Sequence, residues 1–349
     1  MKRFILISVI LLLACTSASA SGKESGEGGF DMQEYLFGHV LDSYQWHITS
    51  WKGHELSIPL PIIVFGQDGL RIFLSDKLEE GKTYDGFFIP EEGPNKGKVV
   101  ELDGSGSQIR PIDISITKNV LSLMISGALL VWLVLACSRW YRRHDVLKEA
   151  PTGVAALLEP VISMIDEDVI KDSVGPEHER FSPYLLTAFF FILINNLMGI
   201  IPIFPGGANV TGNIAVTLCM AVFTFISVNL FGNRHYFKEI FWPDVPMFLK
   251  AFPIMPVIEI VGMFTKPISL MVRLFANIFA GHVLILSVVA LIFITAAMGP
   301  VLNGSMTLVS VLFGIFMDCL ELLVAFIQAY VFTMLSAVYI GMAHPKEEN

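Results

Sequence analysis

Charge is what this chain has least of. Asp, Glu, Lys and Arg make up 16% of its 349 residues, against 54% hydrophobic residues and a mean hydropathy of +0.64. A soluble domain carries about 25% charged residues, so the deficit excludes an ordinary globule and points to several membrane spans. There is no long basic run, and the formal net charge is −9, which argues against a nucleic-acid partner. Cysteine is also scarce. Cys15, Cys137, Cys219 and Cys319 lie far apart in apolar surroundings, with no CxxC or Cys/His spacing, so no disulfide framework, zinc site or cofactor is implied. His39, His47 and His54 share no helix face and suggest no metal centre. No internal repeat is present.

What remains is a succession of apolar runs. Residues 1–20 start with Lys2 and Arg3, continue as an apolar run too short to span, and end in Ala18-Ser19-Ala20, the pattern of a secretory signal. A lipoprotein signal ending at Cys15 and a first membrane helix are the competing readings. Residues 21–114 turn polar and predict an exported module. It contains a Gly-rich linker over 21–29, a short amphipathic helix over 31–47, a β-hairpin from Leu56–Phe65 and Leu70–Leu74, and short strands at Gly86–Ile89 and Lys98–Leu102.

Residues 115–349 predict the membrane domain, with spans at about 116–137, 184–203, 213–231, 255–298 and 304–343, and an amphipathic helix at the cytoplasmic surface over about 150–170. Arg139, Arg142 and Arg143 follow the first span; Arg234 and Lys238 follow the third. With the N-terminus outside, the positive-inside rule is met at every short loop and the C-terminus lies inside. The last two spans exceed the roughly 20 residues that a crossing needs, so strong tilt or extension is expected.

The fourth span carries Arg273, although a cation near the bilayer centre costs roughly 2.5–3.5 kcal/mol on insertion scales. Glu259, Gly262, Lys266, Ser269, Arg273, Asn277 and Ala280 fall within roughly 40° of one direction on a helix, forming a polar stripe. It runs about 30 Å, near the thickness of the hydrocarbon core. His282 lies about 180° away round the same helix. On the last span, Gly314, Asp318, Glu321, Ala325, Gln328, Ser336 and Tyr339 share a second stripe. If the two spans run antiparallel, His282 comes level with Glu321. Imidazole ordinarily titrates near neutral pH, so such a pair can pass protons. The bland alternative is a helix-clamping contact for the pair, with Asp318 and Lys266 snorkelling toward the surfaces. Asn195 and Asn196 add polar groups to the second span.

The run Lys266-Pro-Ile-Ser-Leu-Met-Val-Arg-Leu-Phe-Ala-Asn-Ile-Phe-Ala-Gly-His282, with Asn213-Ile-Ala-Val-Thr-Leu and Gln328-Ala-Tyr-Val-Phe-Thr-Met-Leu, resembles subunit a of the F-type ATP synthase over roughly residues 115–343. The resemblance implies an all-α polytopic membrane protein of the inner membrane. Its last two spans would form a long tilted hairpin; the small β-containing exported module over 21–114 lies outside the resemblance. It implies a non-catalytic subunit with the rotor c-ring, the subunit b peripheral stalk, the rest of the synthase and membrane lipid as partners. Arg273 would face the ring carboxylate, with Gln328 its neighbour on the last span. Glu259 and Ser269 would border a cytoplasmic half-channel, and Asn277, His282, Glu321 and Gln328 a periplasmic one; Lys266, Asp318, Asn213 and Asn196 are further candidates. In one common family pattern an acid stands where His282 is and a histidine where Glu321 is; here the two are exchanged. A sodium-coupled version of the same subunit and a secondary transporter are the alternatives, although a transporter would show inverted repeats.

Overall fold

The computed structural model describes residues 42–344, apart from 52–53, 91–92, 103–107, 146–147, 202–203, 242–253 and 297–298. The expected signal segment, the linker and most of the expected 31–47 helix lie outside the described residues. Contacts divide the chain into two compact units, one of Met1–Ile125, Gly199–Val210 and Val283–Asp318, the other of Ser126–Met198, Thr211–His282 and Cys319–Asn349.

The first unit contains the β module. Strands β1 (Gln45–Trp51) and β2 (His54–Pro59) pair antiparallel, so residues 45–47 are strand, not the end of a helix. β3 (Pro61–Gly66) and β4 (Gly69–Leu74) make the expected hairpin, with Gly66 opposite Gly69. The expected single strand over 56–65 is broken at Leu60, whose N–H is bonded to the Ser75 hydroxyl, so its first half pairs with β1 instead. β5 (Phe87–Phe88), β6 (Val100–Leu102) and β7 (Gln108–Ile109) form a second small sheet, and β8 (Ile112–Asp113) adds to β3. Alternation puts Ile62, Val64 and Phe73 on one face, where they pack with Tyr44, Leu78, Phe87 and Val99. The phenol of Tyr44 donates to Asp113, which fixes β8 to the start of the module.

Backbone bonds from Lys118 N to Ser43 O (2.9 Å) and from Ile116 N to Pro61 O (3.1 Å) tie this module to the start of α1 (Lys118–Arg143). The unit also includes the facing ends of the two longest helices, α6 (Ile254–Ala296) and α7 (Pro300–Ala343). Between them Gly299 takes φ +110°, a left-handed conformation that suits glycine.

The second unit is helical. After α1 come α2 (Val154–Ser163), a π-helical stretch Met164–Lys171, one turn at Asp172–Val174, α3 (His178–Ile200), α4 (Ile214–Phe231) and α5 (Arg234–Phe241). Over 154–174 one face is buried through Ala155, Leu158, Ile165, Val169, Ile170 and Val174, while Glu167 and Asp168 are exposed. α3 starts earlier than expected because the helix runs through Pro183, which forfeits a single backbone bond. The core gathers Leu185, Phe189 and Ile192 of α3, Leu270, Leu274 and Ile278 of α6, and Ala329, Phe332, Ala337 and Ile340 of α7. Small residues let α7 come close: a Cβ on Gly341 would stand 2.0 Å from the Ser173 carbonyl oxygen.

Among the described residues five helical stretches are long and apolar enough to cross a membrane. The chain is a multi-pass membrane protein.

Candidate functional site

α6 continues for 43 residues through Pro267 and separates its two faces cleanly. Leu270, Leu274 and Ile278 sink into the core at 1–3% exposure. Round the helix, Glu259, Ser269, Arg273, Asn277 and Ala280 are exposed, and Gly262 and Lys266 are half-buried. The apolar residues flanking that stripe, Val261, Ile268 and Val272, are 54%, 52% and 47% exposed. Around Arg273 the described residues leave this face uncovered. Among the described residues Arg273 has no ion pair or side-chain hydrogen bond.

The stripe of α7 has the opposite fate. Glu321 and Gln328 are 6% and 7% exposed, and Ala325 and Ser336 are fully buried. Across from it, His282 Nδ1 stands 2.8 Å from Glu321 Oε1. The separation is that of a hydrogen bond, but the two groups are not aligned as one, and neither atom has another hydrogen-bond partner among the described residues. Gly281 makes the approach feasible, since a Cβ there would lie 3.1 Å from the same Glu321 oxygen. Farther along, Lys266 Nζ sits 5.5 Å from the centroid of the Tyr339 ring. These two contacts occur in reverse order along the helices, so α6 and α7 run antiparallel between them.

The remaining candidates are placed as follows. Asn196 donates to the Ala325 carbonyl (3.1 Å) and accepts from the Thr211 hydroxyl (2.6 Å), bracing α7 one turn beyond Glu321. Asn213 caps α4, its side chain accepting from Ala215 N at 3.0 Å, the ordinary work of an asparagine before a helix. Asp318 is half-buried on α7. Gln328 is buried on α7, whereas Arg273 is exposed on α6.

Several polar groups escaped the sequence reading. A hydroxyl chain joins α3, α4 and α7, from Tyr184 to Thr224 (2.9 Å) and from Thr224 to Ser336 (3.2 Å). Beside it Thr224, Asn229, Tyr236, Lys266 and Tyr339 line a cavity of about 10 Å³, roughly the room one water needs. Asn229 Oδ1, buried there, has no hydrogen-bond partner among the described residues. Burial, and then the nearby Glu259 carboxylate, push the Tyr236 phenol above its ordinary range. The signal for this group was weak, because hydroxyls and a lone asparagine in an apolar helix bond their own backbone as often as a neighbour. Among the described residues no three His, Cys, Asp or Glu side chains converge as a metal site.

Comparison with known proteins gives two family matches. A model described as ATP synthase A chain matches residues 120–341, and one described as a domain of unknown function (DUF8433) matches residues 35–118. The chain is 39% identical to ATP synthase subunit a of Chloroherpeton thalassium over 249 residues, covering 69% of this chain and 70% of that protein. It is 44% identical to ATP synthase subunit a 2 of Chlorobium luteolum over 241 residues, 68% and 67% of the two chains. With ATP synthase subunit a of Myxococcus xanthus the identity is 37% over 239 residues, 66% and 74%.

Proposed function

The chain belongs to the subunit a family of the F-type ATP synthase, and from that premise we propose that it is the stationary, non-catalytic proton-conducting subunit of the membrane sector. Two offset half-channels meet a carboxylate on the rotor ring and couple proton flow to rotation and ATP synthesis. The observation that carries this reading is the contrast between the faces of α6. A guanidinium on a membrane-spanning helix is left uncovered by the described residues, while an imidazole–carboxylate pair is largely buried between α6 and α7. An uncovered cation in lipid is costly, so the exposed face calls for an acidic partner from another subunit.

On this reading a proton reaches the pair His282/Glu321 from the periplasm. Asn277 and Gln328 border that route, and the nearby Asn196 holds α7 in position. The proton neutralises a ring carboxylate, is carried round through lipid, and leaves on the cytoplasmic side past Ser269 and Glu259. Arg273, permanently charged, favours the ionised carboxylate as it passes and denies protons a direct path between the two routes. Lys266 and the Asn229 cavity border the cytoplasmic side. Asp318 adds a carboxylate to the outer part of α7, and Asn213 acts as a helix cap.

The same reading places the protein in the inner membrane. A signal over 1–20 is removed and the module over 21–114 is periplasmic. Arg139, Arg142, Arg143 and the C-terminus are cytoplasmic, residues 154–171 lie along the cytoplasmic surface, and α6 and α7 cross as a tilted hairpin. The rotor ring and the subunit b stalk are its neighbours. The test is Arg273→Ala in the assembled complex: ATP-driven pumping in inverted vesicles is abolished, and vesicles stripped of the catalytic sector leak protons. Normal pumping by that variant overturns the role.

A further inference from the structure

Where α1, α2 and α3 meet there is a cavity of about 230 Å³ whose lining includes none of the residues assigned to the proton route. Its walls are almost wholly apolar, made by Leu130, Leu133 and Cys137 of α1, Leu158 and Ile162 of α2 and Phe190 of α3, with Ser138 and Tyr141 the last of the α1 residues to line it. A bound water needs two to four polar partners, and walls this apolar offer almost none, so the space suits a hydrocarbon better than water. A protein helix, about 10 Å across, is too broad to enter it. Val134 on its rim is 53% exposed, which opens the space to the surroundings of a membrane-spanning helix. There the abundant slender apolar rod is a lipid chain. At the Tyr141 end, Glu159 is engaged by the tyrosine hydroxyl. Arg142 and Arg143, both exposed, follow directly in the last turn of α1. A cationic group beside an apolar slot suits a phosphodiester whose tail lies in the slot.

We infer that this cavity is a binding site for one phospholipid, one acyl chain lying between α1, α2 and α3 and the phosphate meeting Arg142. The lipid acts as a structural filler that holds α2 against α1. The site needs only a multi-pass membrane protein, so it stands or falls apart from the half-channel reading.

The experiment uses the intact complex in mild detergent, with native mass spectrometry counting retained phospholipids. Leu133→Trp fills the cavity; Leu135→Trp, on a side chain 55% exposed, is the control. The expected result is one phospholipid fewer in Leu133→Trp, an unchanged count in Leu135→Trp, and partial loss in Arg142→Gln. Should Leu133→Trp fail to assemble, alkylation of Cys137 by N-ethylmaleimide in the wild-type complex decides. It should rise severalfold on delipidation and fall again when phosphatidylethanolamine vesicles are added back. Equal lipid counts in both tryptophan variants overturn the inference. So do protection of Cys137 by detergent or free fatty acid alone, an adventitious additive only, and cross-linking of Cys137 to another subunit.

Discussion

Gly281 offers the sharpest test of the enclosed pair, because its position sets how near α6 comes to Glu321. In Gly281→Ala the new methyl starts 3.1 Å from Glu321 Oε1, 3.6 Å from Cδ and 3.8 Å from Cγ. The carboxylate must retreat by a few tenths of an ångström, stretching the 2.8 Å separation from His282 toward the limit of hydrogen bonding at roughly 3.2 Å. Overpacking of this kind costs about 1–3 kcal/mol, and the smaller figure applies where one flexible side chain can yield. Gly281→Val adds methyls where the carboxylate now stands and should separate the pair altogether. The assay is ATP-driven acidification of inverted vesicles together with ATP synthesis, each normalised to the amount of assembled complex. The expected order is glycine, alanine, valine, with the alanine variant slowed severalfold and the valine variant by tenfold or more. Full rates in a fully assembled Gly281→Val complex would refute the claim that the proximity of His282 and Glu321 matters to conduction.

Two further outcomes test the surrounding framework. Thr224→Val strips the middle hydroxyl from the Tyr184–Thr224–Ser336 chain, taking the side-chain partner from the buried Ser336 hydroxyl at about 1–3 kcal/mol, while Tyr184 keeps Ser227. The thermal midpoint of the solubilised complex should fall, and Thr224→Ser should restore most of it. In the β module, burial and the hydrogen bond and charge of Asp113 push the Tyr44 phenol well above its ordinary value near 10. The folded pKa is raised, so this contribution is complete below about pH 10 and is lost as pH climbs from there toward the folded value. Amide exchange of β3 and β8 in the intact complex should accelerate above about pH 10, and Tyr44→Phe should flatten that rise.

The parts of this molecule written in periodicity were legible from the sequence. Both polar stripes follow from a helical repeat of about 3.6 residues, and so did the level of His282 against Glu321 once the two helices were taken as antiparallel. Which stripe is covered was not legible. Arg273 and Glu321 look alike as ionisable residues in apolar runs, and only the packing of α3 and α4 against α7 decides that one is enclosed and the other bare. Local signals misled where a pattern served two structures. Residues 45–47 continue an amphipathic helical pattern, yet they are drawn into a strand by pairing with residues brought back by the next turn. Over about 150–170 an amphipathic helix was expected, and the pattern did not say how its buried face is built. In the fold one face of that stretch is core, because Ile165, Val169 and Ile170 align over a π-helical widening that no short-range rule foretells. Gly281 was visible in the sequence, but its purpose was not, because closeness to Glu321 is a property of two helices.

The central claim is that the bare face of α6 meets an acid-bearing helix of the rotor. It is tested most directly by the substitution Asn277→Cys, one turn from Arg273, combined with a second cysteine placed beside the ring carboxylate, followed by oxidation of the assembled complex. A disulfide between the two subunits in high yield is the predicted result. If the thiol introduced by Asn277→Cys instead forms no link to the ring and reacts only with a maleimide carried on lipid, that face looks into the bilayer and the account is contradicted.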